Sequence, residues 1–168
     1  MSTPETPLIY RDRMLSFVAE KDPWDVLAST AGRLRQLTAG RSTSELTRKP
    51  EPDRWSAAEI LAHLADAEIV GAWRFRSVLA SDGVPLQPFD QNAWASTFKY
   101  AQADPAESID IFDANRRGTL SLLRRVDSAL YANHGMHAER GKETVEHLIR
   151  LYAGHDLNHL AQVERILG

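Results

Sequence analysis

Residues 144–166 read TVEHLIRLYAGHDLNHLAQVERI, and this stretch carries the pattern that decides the fold. Its apolar and aromatic positions recur in steps of three and four residues, which is typical of the core-facing stripe of a bundle helix. We expect this helix to start at Thr144. The stripe consists of Val145, Leu148, Tyr152, His155, His159, either Gln162 or Val163, and Ile166. Two histidines therefore lie on a face that should be buried.

Three further stretches show the same 3.6-residue period, and no stretch alternates convincingly with the period of two that is typical of a β-strand. The first, residues 22–40, opens with an aspartate cap followed by proline and stops at a glycine. The second, residues 56–80, opens with serine and glutamate at the spacing of a capping box. The third, residues 104–130, again opens with aspartate and proline.

Four such helices predict an all-α protein, an antiparallel four-helix bundle that spans residues 1–168 as a single domain. The longest connection joins the second and third helices and covers residues 81–103. It contains Asp90 and the aromatic residues Phe89, Trp94 and Phe98. These are too many aromatic rings for a freely solvated linker. Long ordered loops are often functional. The connection is therefore either a packed crossover with a short helix near Trp94 or a lid over a site.

The composition narrows the chemistry that the chain can perform. It contains no cysteine, which excludes disulfides, thiolate ligands and a thiol nucleophile of its own. The 20 basic and 23 acidic side chains form no block of one sign, so we expect no nucleic-acid partner. No segment approaches the apolar length of a membrane span or resembles a signal peptide. We therefore expect a cytoplasmic protein with no membrane partner.

The inward histidines suggest a metal site. His155 and His159 are four residues apart and share one helix face. That spacing also suits a solvated pair, but a buried imidazole costs free energy unless its nitrogens are satisfied. His63 lies on the inward face of the second helix, where a single histidine would usually be a hydrogen-bonded core residue. Three inward histidines together favour a metal ion with coordination positions left open for water or substrate.

Two motifs resemble those of the DinB-like superfamily of metal-binding four-helix bundles. Residues 54–68, RWSAAEILAHLADAE, resemble the family's second-helix motif, in which tryptophan and serine lead into a helix whose histidine binds metal. Residues 154–162, GHDLNHLAQ, resemble the fourth-helix motif that supplies the other two ligands. The resemblance implies that His63, His155 and His159 bind a divalent metal ion. Position 158, often another histidine in relatives, is Asn158 here.

Three carboxylates are candidates for catalytic roles. Asp156 and Glu59 could each accept a hydrogen bond from a ligand imidazole and fix its tautomer, or serve as a base. Neighbouring helix residues point in directions about 100° apart, so Asp156 could equally face solvent. Asp90, in the long connection, is the third candidate.

The remaining candidates concern the walls of a binding pocket. We expect Trp94, Phe98, Tyr152 and Arg116 to line it. Arg116 could bind the carboxylate of a thiol cofactor, although it could also be a surface charge. Five further ionisable residues receive no functional role, because they should be solvated or lie off the inward stripes: Asp66, Glu68, His134, His137 and His147.

Three functions follow from these predictions. The resemblance first implies an enzyme in which a low-molecular-weight thiol, held at the metal, attacks an electrophilic small molecule. The second is a metal-dependent hydrolase that activates water. The third is a non-catalytic bundle in which a structural metal joins two helices. Imidazole ligands suit several metals, of which zinc and nickel come first. We also expect a small-molecule substrate and a homodimer.

Overall fold

The computed structural model describes residues 5–168, and the four predicted helices are all present. In chain order, the elements are α1 (Pro7–Phe17), α2 (Pro23–Thr38), α3 (Thr43–Thr47), α4 (Ala57–Ala80), β1 (Val84–Leu86), α5 (Gln91–Thr97), α6 (Pro105–Arg125), β2 (His134–His137), β3 (Gly141–Thr144) and α7 (Val145–Leu167). Two short 3₁₀ turns add Tyr100–Gln102 and Ser128–Ala132. The long helices α2, α4, α6 and α7 form the predicted all-α four-helix bundle.

The helix starts follow from local capping chemistry. The side chains of Asp22, Ser56, Asp104 and Thr144 each accept a hydrogen bond from a backbone N–H in the first turn of α2, α4, α6 and α7. The predicted end of the third helix near Leu130 is wrong, because α6 ends at Arg125. Asp127 accepts from the N–H of Ala129 and so starts a separate 3₁₀ turn.

Two of the long helices, α2 and α7, run parallel to each other. Thr30 contacts Asp156, and further along both helices Arg33 pairs with Glu164 at 2.5 Å. α2 also packs beside α6, and α7 packs beside α4, so α2 and α7 are neighbours in the bundle.

The other two, α4 and α6, form a second parallel pair that points the opposite way. α4 runs against α7, because His63 packs on His159 while the later residue Phe75 packs on the earlier residue Tyr152. The first apolar residues of α4 and of α6 belong to one core cluster, so α6 is parallel to α4. Since parallel neighbours can be joined only by a segment that returns along the bundle, the long connection is a structural necessity.

A layer of polar residues crosses the middle of the bundle. It consists of Thr30, Glu68, Arg116 and Asp156, one from each long helix and all buried. On every long helix, the apolar residues before and after this polar layer belong to two different core clusters. The core is therefore two apolar halves separated by a hydrogen-bonded layer.

Arg116 is the centre of the polar layer. Its guanidinium donates to both carboxylate oxygens of Asp156, at 2.5 and 3.1 Å, and to Glu68 at 2.8 Å. It also donates to the carbonyl oxygen of Leu27 at 3.0 Å, and Thr30 donates to Asp156 at 2.8 Å. Burial disfavours the charge, but the two carboxylates outweigh this effect and raise the pKa of Arg116.

Three predictions about ionisable residues are wrong. Arg116 is neither a pocket wall nor a surface charge, because all its contacts lie inside the bundle. Glu68 is not solvated, because it balances the charge of Arg116. Asp66 is half-buried and accepts a 2.6 Å hydrogen bond from the hydroxyl of Tyr100.

The sequence did not reveal α1, α3 or the small sheet. Met14 is the only buried residue within α1, so this helix shows no apolar stripe. It still packs closely on α7, because a Cβ atom at Gly154 would overlap the carbonyl oxygen of Met14. In the sheet, β2 pairs in parallel with β1 and antiparallel with β3. Strands of three or four residues are too short to show a period of two.

The long connection is anchored to the rest of the protein at several points, including the buried residues Leu86 and Tyr100. β1 joins the sheet, and α5 is the short helix predicted near Trp94. Tyr100 then contacts both Asp66 on α4 and the ring of Trp55. Within residues 5–168, no helix is long and apolar enough to cross a membrane.

Replacing Arg116 with methionine should strongly destabilise the bundle. The substitution leaves Glu68 and Asp156 buried without their counter-ion, and we expect the free energy of unfolding to fall by about 3–5 kcal/mol. Urea unfolding followed by circular dichroism measures this change. Arg117→Met is the matched control, because the Arg117 side chain is 73% exposed. This substitution should lower the free energy of unfolding by less than about 0.5 kcal/mol. Equal stabilities of the two variants would contradict a central role for Arg116.

Candidate metal centre

Three histidines converge at one point between α4 and α7. His63 comes from α4, and His155 and His159 come from successive turns of α7. The Nε2 atoms of His63 and His155 are 3.1 Å apart. One ring nitrogen from each of the three residues lies within 4.8 Å of the others. All three side chains are almost completely buried.

The three imidazoles are neutral near pH 7. Burial, followed by the proximity of His159, holds the pKa of His63 well below its ordinary value. The pKa of His155 is lowered in the same way, by burial first and then by the neighbouring histidines. Burial lowers the pKa of His159 to about 4, despite an opposing hydrogen bond to Gln162. Neutral imidazoles keep the lone pairs that metal binding requires.

The surroundings orient two of the rings. Nδ1 of His159 donates to Oε1 of Gln162 at 2.8 Å, which leaves the lone pair of His159 on Nε2. His63 packs against Trp55, with ring centroids 5.1 Å apart. Its Nδ1 is buried without a hydrogen-bond partner among residues 5–168, so packing fixes the orientation of this ring.

The geometry fits a divalent cation. In a tetrahedral site with bonds of about 2.05 Å, two imidazole nitrogens lie about 3.3 Å apart, close to the separation of His63 and His155. Two neutral Nε2 atoms at 3.1 Å can share only one proton, whereas a cation would satisfy both lone pairs. Three protein ligands leave at least one coordination position for water or substrate, which is typical of catalytic rather than structural sites.

Two adjoining pockets reach the histidines. The larger, of about 500 Å³, is lined by His63 and His155, and the second, of about 450 Å³, is lined by His159. Glu5, Tyr10 and Gln91 line both. The histidine cluster therefore lies at the boundary between two pockets, each of which is large enough for a small molecule.

Two of the predicted catalytic carboxylates do not serve the histidines. Asp156 is bonded to Arg116 and Thr30 in the polar layer, so it neither faces solvent nor contacts an imidazole. Glu59 accepts from the N–H of Ser56 and pairs with Lys49 at 3.1 Å. The prediction that these acids orient an imidazole is wrong, because both have structural partners.

Asp90 does lie at the site, where it lines the larger pocket. Its Oδ1 caps α5 by accepting from the N–H groups of Asn92 and Ala93, and its Oδ2 makes no hydrogen bond among the described residues.

Of the residues predicted to line the pocket, Tyr152 does so and the others do not. Trp94 lines neither pocket but stacks on Phe89, a residue of the larger pocket, with ring centroids 4.6 Å apart. Phe98 is 54% exposed and packs on Trp94. Arg116 lies in the polar layer.

Sequence reasoning missed Arg74, His137 and Tyr10, which also line the larger pocket. A signal existed for Arg74, because it follows His63 by eleven residues, about three helical turns on the same face. His137 lies in the β2 strand and Tyr10 in α1, the elements that showed no usable pattern.

Comparisons with known proteins agree with this architecture. A family model described as the DinB superfamily matches residues 27–163. The "Putative metal-dependent hydrolase YfiT" of Bacillus subtilis is 25% identical over 160 residues, 94% of this chain and 89% of that protein. The "Putative metal-dependent hydrolase BH0277" of Halalkalibacterium halodurans is 23% identical over 155 residues, 90% of each.

A solved structure also resembles the chain. It is YfiT from Bacillus subtilis, described as a probable metal-dependent hydrolase with an unusual four-helix bundle topology. The TM-score is 0.79 at 20% sequence identity, and the match covers 99% of this chain and 90% of that one. This likeness confirms the predicted four-helix bundle.

Metal-free protein should lose stability as the pH falls. The pKa of His159 is about 4 in the folded protein, against 6.5 in an unfolded chain, so below about pH 6.5 the unfolded state binds more protons. Stability is therefore fully present above that pH and declines toward pH 4, by on the order of 3 kcal/mol for His159 alone. Urea unfolding of chelator-treated protein between about pH 7.5 and pH 4.5 measures this. His159→Gln should reduce the pH dependence, and an unchanged slope would contradict the expectation.

Proposed function

Because the chain belongs to the DinB superfamily, we propose that it is a metal-dependent hydrolase whose divalent ion is held by His63, His155 and His159. One observation carries the proposal: three neutral, buried imidazoles converge at the wall of an open pocket. The reaction class is supported by relatives that are named as metal-dependent hydrolases. Zinc or nickel is the ion that we propose, because imidazole suits both.

The ion would lower the pKa of a bound water and polarise the carbonyl group of a substrate. The chain's own contribution is to hold the ligands rigidly and to accept a proton. Asp90 is suited to the second task, because it lines the same pocket as His63 and His155 and its Oδ2 is free to accept. The bonds to Oδ1 fix the orientation of the carboxylate.

Thiol transfer is the second candidate function, and the two pockets favour it. A thiol in one pocket and an electrophile in the other would meet at the histidines, since His155 lines the first pocket and His159 the second. The absence of cysteine from the chain requires that such a thiol come from a small molecule.

The predicted homodimer stays a prediction.

Untagged protein should contain close to one divalent ion per chain, measured by elemental mass spectrometry. His63→Ala and His159→Ala each remove one of three ligands, and we expect their metal content to fall at least tenfold. His134→Ala is the matched control, because His134 lies at the start of β2 and pairs with Asp82. Metal-free parent protein that cannot be loaded would refute the site, and a loaded protein with no access for added ligands would favour a structural metal.

Asp90→Asn should separate catalysis from metal binding. We expect hydrolysis of activated esters or amides by the metal-loaded protein to slow by about 10²- to 10⁴-fold, because the proton acceptor is lost, while the metal content stays unchanged. Glu139→Gln is the control, since Glu139 lines the same pocket and is exposed. Activity that appears only when a small thiol and an electrophile are both present would favour thiol transfer over hydrolysis.

A further inference from the structure

Arg74 is a buried cation without a buried counter-ion. It lies on α4 and is 5% exposed, yet no carboxylate within residues 5–168 forms a salt bridge with it. Its Nη2 donates to the carbonyl oxygen of Gln87 at 2.7 Å, and its Nε is buried with no partner among the described residues. Arg116, the other deeply buried arginine, has two carboxylates. A buried guanidinium is costly unless it is paired, so Arg74 lacks an anion.

His137 places a second donor beside Arg74. Its Nδ1 accepts from the N–H of Glu139 at 3.2 Å, and burial lowers the pKa of His137 to about 4, so its single proton is on Nε2. That Nε2 lies 3.5 Å from Nη2 of Arg74. Two donors that face each other cannot bond to each other, and the arrangement is satisfied only by a shared acceptor.

Tyr152 completes the group of donors. Its hydroxyl accepts a long hydrogen bond of 3.5 Å from Nη1 of Arg74, which leaves the hydroxyl proton able to donate, and all three residues line the larger pocket. None of the acids of this pocket forms an ion pair with Arg74. Glu5 pairs with Arg13 at 2.7 Å, Asp90 caps α5, and Glu139 is exposed, where water screens its charge.

The other cation of the pocket is already matched. Arg140 is bonded to both carboxylate oxygens of Glu143, at 2.6 and 3.1 Å. Arg74 is therefore the cation of this pocket that has no carboxylate bonded to it, and its hydrogen bond to the carbonyl oxygen of Gln87 holds it in place.

We propose that Arg74, His137 and Tyr152 form a carboxylate-binding subsite, and that the protein takes small molecules with a terminal carboxylate. The fork of a guanidinium matches a carboxylate in geometry as well as charge. The statement that this molecule is the substrate rests on the proposed hydrolase function, whereas the subsite itself does not require the metal.

The position of the subsite indicates how such a molecule would lie. Arg74 and His63 are eleven residues apart on one face of α4, about 16 Å between their Cα atoms. Tyr152 lies between them, because it contacts Arg74 and is three residues before His155. A molecule held by its carboxylate at Arg74 would extend along the pocket toward the histidines, as an N-acylated amino acid or short peptide could.

Solution NMR of chelator-treated, ¹⁵N-labelled protein tests the subsite directly. The probes are N-acetylglycine, N-acetylglycylglycine and their uncharged C-terminal amides. We expect both acids, but neither amide, to shift the Nε–H signal of Arg74 in a saturable manner. Arg74→Gln should weaken binding of the acids by at least about tenfold, because a charge-assisted bidentate contact is lost. Arg76→Gln, two residues further along α4 on another face and outside both pockets, should bind like the parent.

Several results separate this proposal from the proposed function. Equal binding of acids and amides by the parent protein, or no binding of either acid, would overturn the subsite without any variant. Arg74→Lys is a second variant in case Arg74→Gln does not fold, and it should bind the two acids more weakly than the parent protein does. Carboxylate binding that persists in His63→Ala would support the subsite even if the chain bound no metal. Protein that binds metal but does not distinguish the acids from the amides would overturn the subsite and leave the proposed metal site unaffected.

Discussion

The bundle depends on the ion pairs that Arg116 forms with Glu68 and Asp156. These three side chains come from three different helices, and the fourth long helix joins through Thr30 and the carbonyl oxygen of Leu27. A buried charge network is satisfied in one alignment of the helices and left unpaired in the others, whereas apolar side chains tolerate small slips. The polar layer therefore sets the register of the bundle, and the two apolar clusters supply most of the hydrophobic stabilisation.

This register brings the histidines together. His155 precedes Asp156 directly, His159 follows it by three residues, and His63 precedes Glu68 by five. When Arg116 holds Glu68 and Asp156 in place, the α4 and α7 segments that carry the histidines are fixed opposite each other. The metal-binding geometry is thus a consequence of a structural ion network one helical turn away, and the two use different physical means. The network contains one guanidinium paired with two carboxylates, and the histidine cluster contains neutral lone-pair donors.

The topology explains why a connection contributes to the pocket. Because α4 and α6 are parallel neighbours, the chain must return along the bundle between them, and it does so across the face where the histidines lie. Asp90 and Gln91 of this connection line the pocket, as does Tyr10 of the added helix α1. The pocket is closed by segments outside the four-helix core. Arg74, its cation without a bonded carboxylate, lies on α4 beside the sheet residue His137.

The sequence by itself determined the four long helices, their starts and the three inward histidines. Caps, prolines and 3.6-residue stripes act over a few residues, so they can be recognised without knowledge of the fold. Only the tertiary structure decided the roles of the other ionisable residues. Arg116, Glu68 and Asp156 carry the same local pattern as surface charges, and their pairing joins residues separated by 40 and 48 positions. Arg74 and His137, separated by 63 positions, become neighbours in the same way, because long-range packing sets which buried charges have partners.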